Sequence, residues 1–212
     1  MPYTVHYFGL YGRAEHMRMM LAHSGTEWKN NSFGMEQWGE LKPTMPRGQV
    51  PALELEDGTK LGQAVACLRY LSSKLGYTPA DDMEKWHCDN IIDMYSEIIG
   101  DMYIPEFLKM TGGDQEKIDA AIDKIHNNVL PKFMEGIASY VSKEGWAVGD
   151  KISLADFCLG AIWCNYINNP HGSTSQDKYA AFREANPALC AYGARFEAEN
   201  AKWLSSRNPS PM

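Results

Sequence analysis

The period of apolar and polar positions changes several times along the chain. Tyr3 to Phe8 is rich in β-branched and aromatic residues, which predicts a strand. Gly9 to Gly12 breaks it. From Ala14, the residues Met17, Met20, Leu21 and Ser24 recur at helical spacing, and Gly25 is placed to close that helix. A short strand is expected over Glu27 to Asn30. Pro43 and Pro46 predict an irregular stretch from Met35 to Arg47. Ala52 to Leu55 reads as a strand bounded by Pro51, and Asp57-Gly58 is the two-residue hairpin signal leading into another short strand. Ala64, Leu68, Leu71 and Leu75 then mark one face of a helix. The order is β-α-β-β-α.

Gly76 to Asp82 is polar and turn-forming, a linker by composition. Beyond it no strand is predicted. Met83 to Met110 carries a long helical pattern, stopped by Thr111-Gly112-Gly113. Asp114 to Val141 carries another, with Ile118, Ile122, Ile125, Val129 and Phe133 in a stripe and Pro131 expected to bend it. Ser153-Leu154-Ala155-Asp156 has the form of a capping box, flanked by Ile152 and Phe157 as a staple. A last helix is predicted from Pro187 to Leu204, with Leu189, Tyr192, Phe196 and Trp203 on one face, and a loose tail from Asn208 to Met212. The fold class is therefore α/β plus all-α, divided as residues 1–76 and 83–207.

Composition narrows the function. The chain has 212 residues, 44% of them apolar and 22% charged, so it buries a real core. A formal net charge of -7 argues against a nucleic-acid partner, which requires a basic surface. No apolar run approaches the roughly 18 residues that cross a bilayer, and Met1 to Val5 has no signal-peptide pattern, so no membrane partner and a cytoplasmic location are expected. The five cysteines are odd in number and none forms a Cys-x-x-Cys pair. They read as reduced small hydrophobes, and no metal site is predicted from them.

The run Gln49-Val50-Pro51-Ala52-Leu53-Glu54-Leu55, the Asp57-Gly58 turn and the helix from Ala64 resemble the glutathione-binding half of cytosolic glutathione transferases. Tyr7-Phe8-x-x-x-Gly12-Arg13-Ala14-Glu15 and the Ser153 box resemble the same family, most closely its sigma class, which includes haematopoietic prostaglandin D synthases and S-crystallins. The resemblance runs from Pro2 to about Arg207. It implies a thioredoxin-like N-terminal domain, an all-helical C-terminal domain, a homodimer, and glutathione as co-substrate with no metal required.

The resemblance also implies roles. Tyr7 would donate a hydrogen bond to the glutathione sulfur and Arg13 would support the thiolate; from periodicity alone, Tyr7 is a core tyrosine at a strand end and Arg13 a solvated arginine. Val50-Pro51 would be cis and present Val50's backbone to the peptide, although a trans bond is the expectation for most X-Pro pairs. Gln63 and Ala64, at a helix N-terminus, would receive the γ-glutamyl carboxylate. The family usually has serine at the second of these positions, so Ala64 is a departure that puts catalytic efficiency in doubt. Trp38, Lys42 and Gln49 would contact the glycyl end. Asp89, Asp93, Glu97 and Asp101 share one helix face. That face is either solvated or lines a dimer cleft where Glu97 meets the ammonium of glutathione held by the other subunit; Ser96 replaces an acid found where relatives bind cations.

The second-substrate pocket is expected to use Phe8, Leu10, Tyr11, Met102, Tyr103 and Ile104. Prostaglandin synthases of the class carry arginine at the position of Tyr11 and tryptophan near that of Ile104, so isomerase activity is disfavoured. The expected function is conjugation of glutathione to hydrophobic electrophiles. The alternatives are a weakly active or non-catalytic carrier or structural protein and a glutathione-dependent prostaglandin isomerase. Arg47 occupies a position where other classes place an aromatic interface residue.

Overall fold

The computed structural model describes residues 2–212. Strand β1 (Tyr3–Phe8) leads through a short helical turn at Gly12–Ala14 into helix α1 (Glu15–His23). Ser24 caps α1 and Gly25, at φ 70°, takes the left-handed position just beyond it. Strand β2 (Trp28–Phe33) is longer than its pattern suggested because Asn31 to Phe33 continue the ladder beside β1. Helix α2 (Met35–Leu41) corrects the expectation of an irregular stretch: it is complete before Pro43, and the two prolines open short turns at Lys42–Thr44 and Pro46–Gly48.

Strands β3 (Ala52–Leu55) and β4 (Lys60–Gly62) finish a four-stranded sheet in the order β2-β1-β3-β4. The β1–β2 pair is parallel and the other two pairs are antiparallel. The expected two-residue hairpin is instead a three-residue loop. The Gly58 N–H donates to the Leu55 carbonyl at 3.0 Å, the Leu55 N–H to Thr59 at 2.9 Å, and Gly58 takes φ 83°. This is a turn followed by one left-handed residue, the next commonest hairpin geometry. Helix α3 (Ala64–Leu75) ends at Gly76, also left-handed.

The rest is helical. Helix α4 (Asp82–Met102) starts at Asp81, whose carboxylate accepts from the Met83 and Glu84 N–H groups. The long pattern predicted to Met110 breaks at Tyr103, and α5 (Ile104–Met110) follows. Pro105 accounts for the break, since it has no N–H and its ring would meet the carbonyl four residues back. Helices α6 (Gln115–Lys124) and α7 (Leu130–Val141) replace the second long pattern. They are joined by a wide π turn at Ile125–Val129, which accommodates Pro131 at the start of α7.

Helix α8 (Leu154–Ile162) runs through the middle of the helical layer with every residue buried. Asp156 reaches back to the Ser153 N–H at 2.8 Å, as the capping box predicts, and also accepts from Ala147 N–H and the Tyr192 hydroxyl. A second π turn, Trp163–Ile167, extends it. Helix α9 (Gln176–Ala185) has no counterpart among the predicted elements. The final predicted helix divides at Asn200 into α10 (Pro187–Glu199) and α11 (Ala201–Ser206).

A continuous apolar core joins α1 and α3 to α4 and α8, with Met17, Met20, Leu68, Leu71, Ile91, Tyr95, Phe157 and Phe196 among its closed positions. The linker contributes to it. Tyr77 is buried against Phe157, its carbonyl accepts from Leu154 N–H, and its hydroxyl lies 2.6 Å from His23 Nδ1. The tail is not loose: Ser210 and Met212 are buried, and the Tyr11 N–H donates to the Met212 carbonyl at 2.9 Å.

Candidate functional site

Two cavities meet at the C-terminal end of β1. One, of about 680 Å³, is lined by Arg13, Trp38, Arg47, Gly48, Gln49, Pro51, Gln63, Ala64, Tyr95 and Ser96 among others. The other, of about 810 Å³, is largely apolar and is lined by Tyr7, Leu10, Phe33, Met35, Tyr103, Phe107, Met110, Tyr166 and Met212 among others. Phe8, Arg13 and Val50 line both.

Tyr7 sits near the end of β1, and the chain turns directly beneath its ring. Gly12 has φ 42°, and the Arg13 N–H donates to the Tyr7 hydroxyl at 3.3 Å. Burial raises the phenol's pKa, against smaller lowering effects from the Arg13 N–H and the charges of Arg13 and Arg18. The group is therefore an O–H donor at neutral pH.

The loop bearing these residues is held from below by Arg18, itself 3% exposed. Its guanidinium donates to the carbonyls of Phe8 and Leu10, to Asn30 and to Glu15, and lies 5.6 Å from the Tyr7 ring centre. Glu15 also receives the Trp203 indole N–H at 2.8 Å and Arg207 at 3.1 Å, so the buried charges are paired and hydrogen-bonded. Arg13 is exposed, with its guanidinium 5.6 Å from the Tyr103 ring centre.

The Val50–Pro51 bond is cis. Gln63, at the N-terminus of α3, has φ 68°, an uncommon conformation for a residue with a side chain. It brings Gln63 and Ala64 to the polar cavity, where the first amides of α3 provide positive potential.

Lys42 is exposed and outside the polar lining; its stem runs alongside Gly48. Arg47 lines the cavity instead, on a backbone turned to φ 56°. Three residues expected in the apolar pocket lie outside its lining. Met102 is closed into the core, being 1% exposed on the inner side of α4. Tyr11 is covered by Arg207, whose guanidinium stacks 3.7 Å from the ring centre. Ile104, half-buried at the start of α5, is displaced by the break at Tyr103. Phe107 and Met110 take these places, and their spacing from Tyr103 along a helix face was a signal in the sequence for doing so.

Tyr166 and Met212 were missed because a π turn and a folded-back tail deliver them. Glu97 is exposed on α4 and lines neither cavity. In the same acidic stripe, Asp89 and Asp93 pair with Arg69 at 2.9 and 3.6 Å, and Asp101 with Lys124 at 2.6 Å.

Burial raises the thiol pKa of all five cysteines, to about 11 for Cys67 and Cys88, so they are protonated at neutral pH. Among the described residues, no three His, Cys, Asp or Glu side chains are grouped as metal ligands, and no helix is long and apolar enough to cross a membrane.

Residues 3–73 match the family model for the glutathione S-transferase N-terminal domain, and residues 101–207 that for the C-terminal domain. Hematopoietic prostaglandin D synthase of Gallus gallus is 29% identical, covering 97% of this chain and 96% of that one. S-crystallin SL11 of Nototodarus sloanii is 27% identical, over 90% and 94%. Glutathione S-transferase 4 of Caenorhabditis elegans is 30% identical, over 79% and 81%. Among solved structures, monomeric Na-GST-3 of Necator americanus superimposes with a TM-score of 0.81 at 26% identity, covering 100% of both chains. The sigma-class transferase of Fasciola hepatica shares the fold, with a TM-score of 0.79 at 21% identity over 100% and 99%.

Proposed function

The chain belongs to the glutathione S-transferase family, and we propose that it conjugates the glutathione thiolate to hydrophobic electrophiles. One observation carries this reading. The half-buried Tyr7 lines an apolar cavity that shares Phe8, Arg13 and Val50 with a polar one.

A free thiol has a pKa of about 8.5, so little of it is ionised at neutral pH. Donation from Tyr7 to the sulfur favours the anion, and Arg13 adds positive potential. Tyr7 and Arg13 are the catalytic residues of this reading. In it, residues 1–76 hold glutathione and residues 83–207 supply much of the electrophile pocket. Val50 offers backbone pairing beside Pro51. Gln63 and the amide of Ala64 receive the γ-glutamyl carboxylate, and Trp38 and Gln49 face the glycyl end. Lys42 and Arg47 are its two candidate cations. The missing hydroxyl at Ala64 costs about 0.5–1.5 kcal/mol of binding, a several-fold loss. Glu97 would act across a homodimer in the cytoplasm, on glutathione bound by the other copy.

The test is the ultraviolet absorbance of bound glutathione thiolate across pH. Tyr7→Phe should raise the sulfur's apparent pKa by about one to two units and slow conjugation about 10–150-fold, the worth of a hydrogen bond to a charged group. Unchanged ionisation and rate would overturn the mechanism.

Ala64 and the S-crystallin similarity favour a second reading, a carrier or structural protein. Retention on glutathione resin without turnover of an aryl halide would support it. A prostaglandin isomerase is the third reading, suggested by the named relative. Direct product analysis decides it, and the positions of Tyr11 and Ile104 outside the lining speak against it.

A further inference from the structure

Helix α5 supplies much of the apolar cavity's wall, yet its apolar side chains do not anchor it. Phe107 and Met110 line the cavity and are 47% and 54% exposed, and Leu108 is only half-buried. The buried residues of the helix are Pro105 and Glu106, the latter 5% exposed. The Glu106 carboxylate accepts four hydrogen bonds from one loop. Its Oε1 accepts from the N–H groups of Ser173 and Thr174, both at 2.6 Å, and from the Thr174 hydroxyl at 2.9 Å. Its Oε2 accepts from the Ser173 hydroxyl at 2.7 Å. Short bonds to a charged acceptor are strong and directional. Lys109 adds an exposed tie to the Ser173 carbonyl at 2.8 Å.

The loop is itself braced. Gln176, at the start of α9, donates to the carbonyls of Asn169 and Gly172, each at 3.1 Å. Asn169 is 2% exposed and donates to the Asn165 carbonyl at 2.9 Å, on the π turn that carries Tyr166. Tyr166 lines the same cavity as α5. Glu106 therefore ties together two stretches of cavity wall that lie far apart in the chain. Apolar packing is non-directional and lets a short helix slide, whereas four bonds converging on one carboxylate fix its position and rotation.

Resting on the transferase reading, we propose that Glu106 is a positioning residue for the second substrate. It holds α5 so that Phe107 and Met110, with Tyr103 just before them, present a fixed apolar surface to the electrophile. Glu106 lines neither cavity, so its effect passes through the helix. An apolar electrophile offers few polar handles, so its orientation towards sulfur depends on the shape of these walls, and a small misplacement costs rate steeply. The polar cavity draws its lining from other elements, so glutathione should not sense the tether.

Steady-state kinetics with glutathione and benzyl chloride test this. Glu106→Ala should raise the KM for benzyl chloride about fivefold or more, leave that for glutathione within about twofold, and leave the thiolate absorbance unchanged. Glu106→Gln keeps a carbonyl oxygen for the two N–H donors and should return the KM to within about twofold of wild type. Amide hydrogen exchange gives a reading free of turnover: Glu106→Ala should speed exchange in α5 about tenfold and leave α8 unchanged. Should Glu106→Ala fail to fold, the double variant Ser173→Ala with Thr174→Val removes only the hydroxyl donors, and should raise the benzyl chloride KM about two- to threefold. Equal rises in both KM values, or an unchanged KM for benzyl chloride in the folded variant, would overturn the role of Glu106 and leave the transferase reading standing. Wild-type protein that binds glutathione but turns over neither benzyl chloride nor an aryl halide would overturn both.

Discussion

The Tyr7 hydroxyl occupies the space that any side chain on Gly12 would need: a Cβ built there would lie 2.7 Å from that oxygen and 2.9 Å from the ring. Gly12 also has φ 42°, which only glycine adopts freely. Gly12→Ala should therefore displace the Tyr7 ring, destabilise the fold by about 1–3 kcal/mol and lower conjugation by more than it lowers stability. Denaturant titration beside steady-state kinetics checks both, and unchanged kinetics would show that the ring tolerates the move.

Arg47 lines the polar cavity and Lys42 does not. If Arg47 supplies the cation for the glycyl carboxylate, Arg47→Ala should raise the KM for glutathione about tenfold, or about 1.4 kcal/mol, and Lys42→Ala should raise it less. Glutathione titrations of the two variants decide between them. A larger effect at Lys42 would restore the sequence-based assignment.

Acid should destabilise the protein. His16 is fully buried, and desolvation holds its pKa down to about 4 in the folded state. The unfolded chain, near 6.5, then binds the extra proton first. This contribution is complete above pH 6.5 and is lost as pH falls from 6.5 towards 4. His6, His23 and His126 are lowered chiefly by desolvation too and add in the same direction. Thermal unfolding at pH 7 and pH 5 should show a clear fall in midpoint, smaller in His16→Gln. An equal fall in that variant would exclude His16 as the source.

Met212 is 4% exposed and forms part of the apolar cavity. Met212→Glu puts a carboxylate against this lining at a large desolvation cost. The KM for an apolar electrophile should rise about tenfold while that for glutathione changes little. Fluorescent apolar ligands displaced from the cavity give an independent reading.

Much of the fold was legible because it depends on local preference. The β1 composition, the α1 and α3 periodicities, the Asp156 box and the stop at Gly76 are written in neighbouring residues. Resemblance supplied what periodicity could not, including the pairing of Tyr7 with a cavity and the cis bond at Pro51, for which residue chemistry alone favours trans. The breaks at Tyr103 and Asn200 and the helix before Pro43 are less legible in the sequence. At those places a proline or an asparagine side chain competes with a helical pattern, and the winner depends on what packs alongside.

By itself, the sequence determined an α/β half followed by helices, reduced cysteines, and a tyrosine and an arginine beside a glycine turn. Only the tertiary structure decided that Arg47 rather than Lys42 lines the polar cavity. It also decided that Tyr11 is shut beneath Arg207, and that Tyr166 and Met212 reach the apolar cavity. The reason is physical: secondary structure follows from residues a few positions apart, whereas these placements depend on contacts spanning most of the chain. The Trp203 and Arg207 bonds to Glu15 and the Tyr11 bond to Met212 are such contacts. No local pattern encodes a partner nearly two hundred residues away.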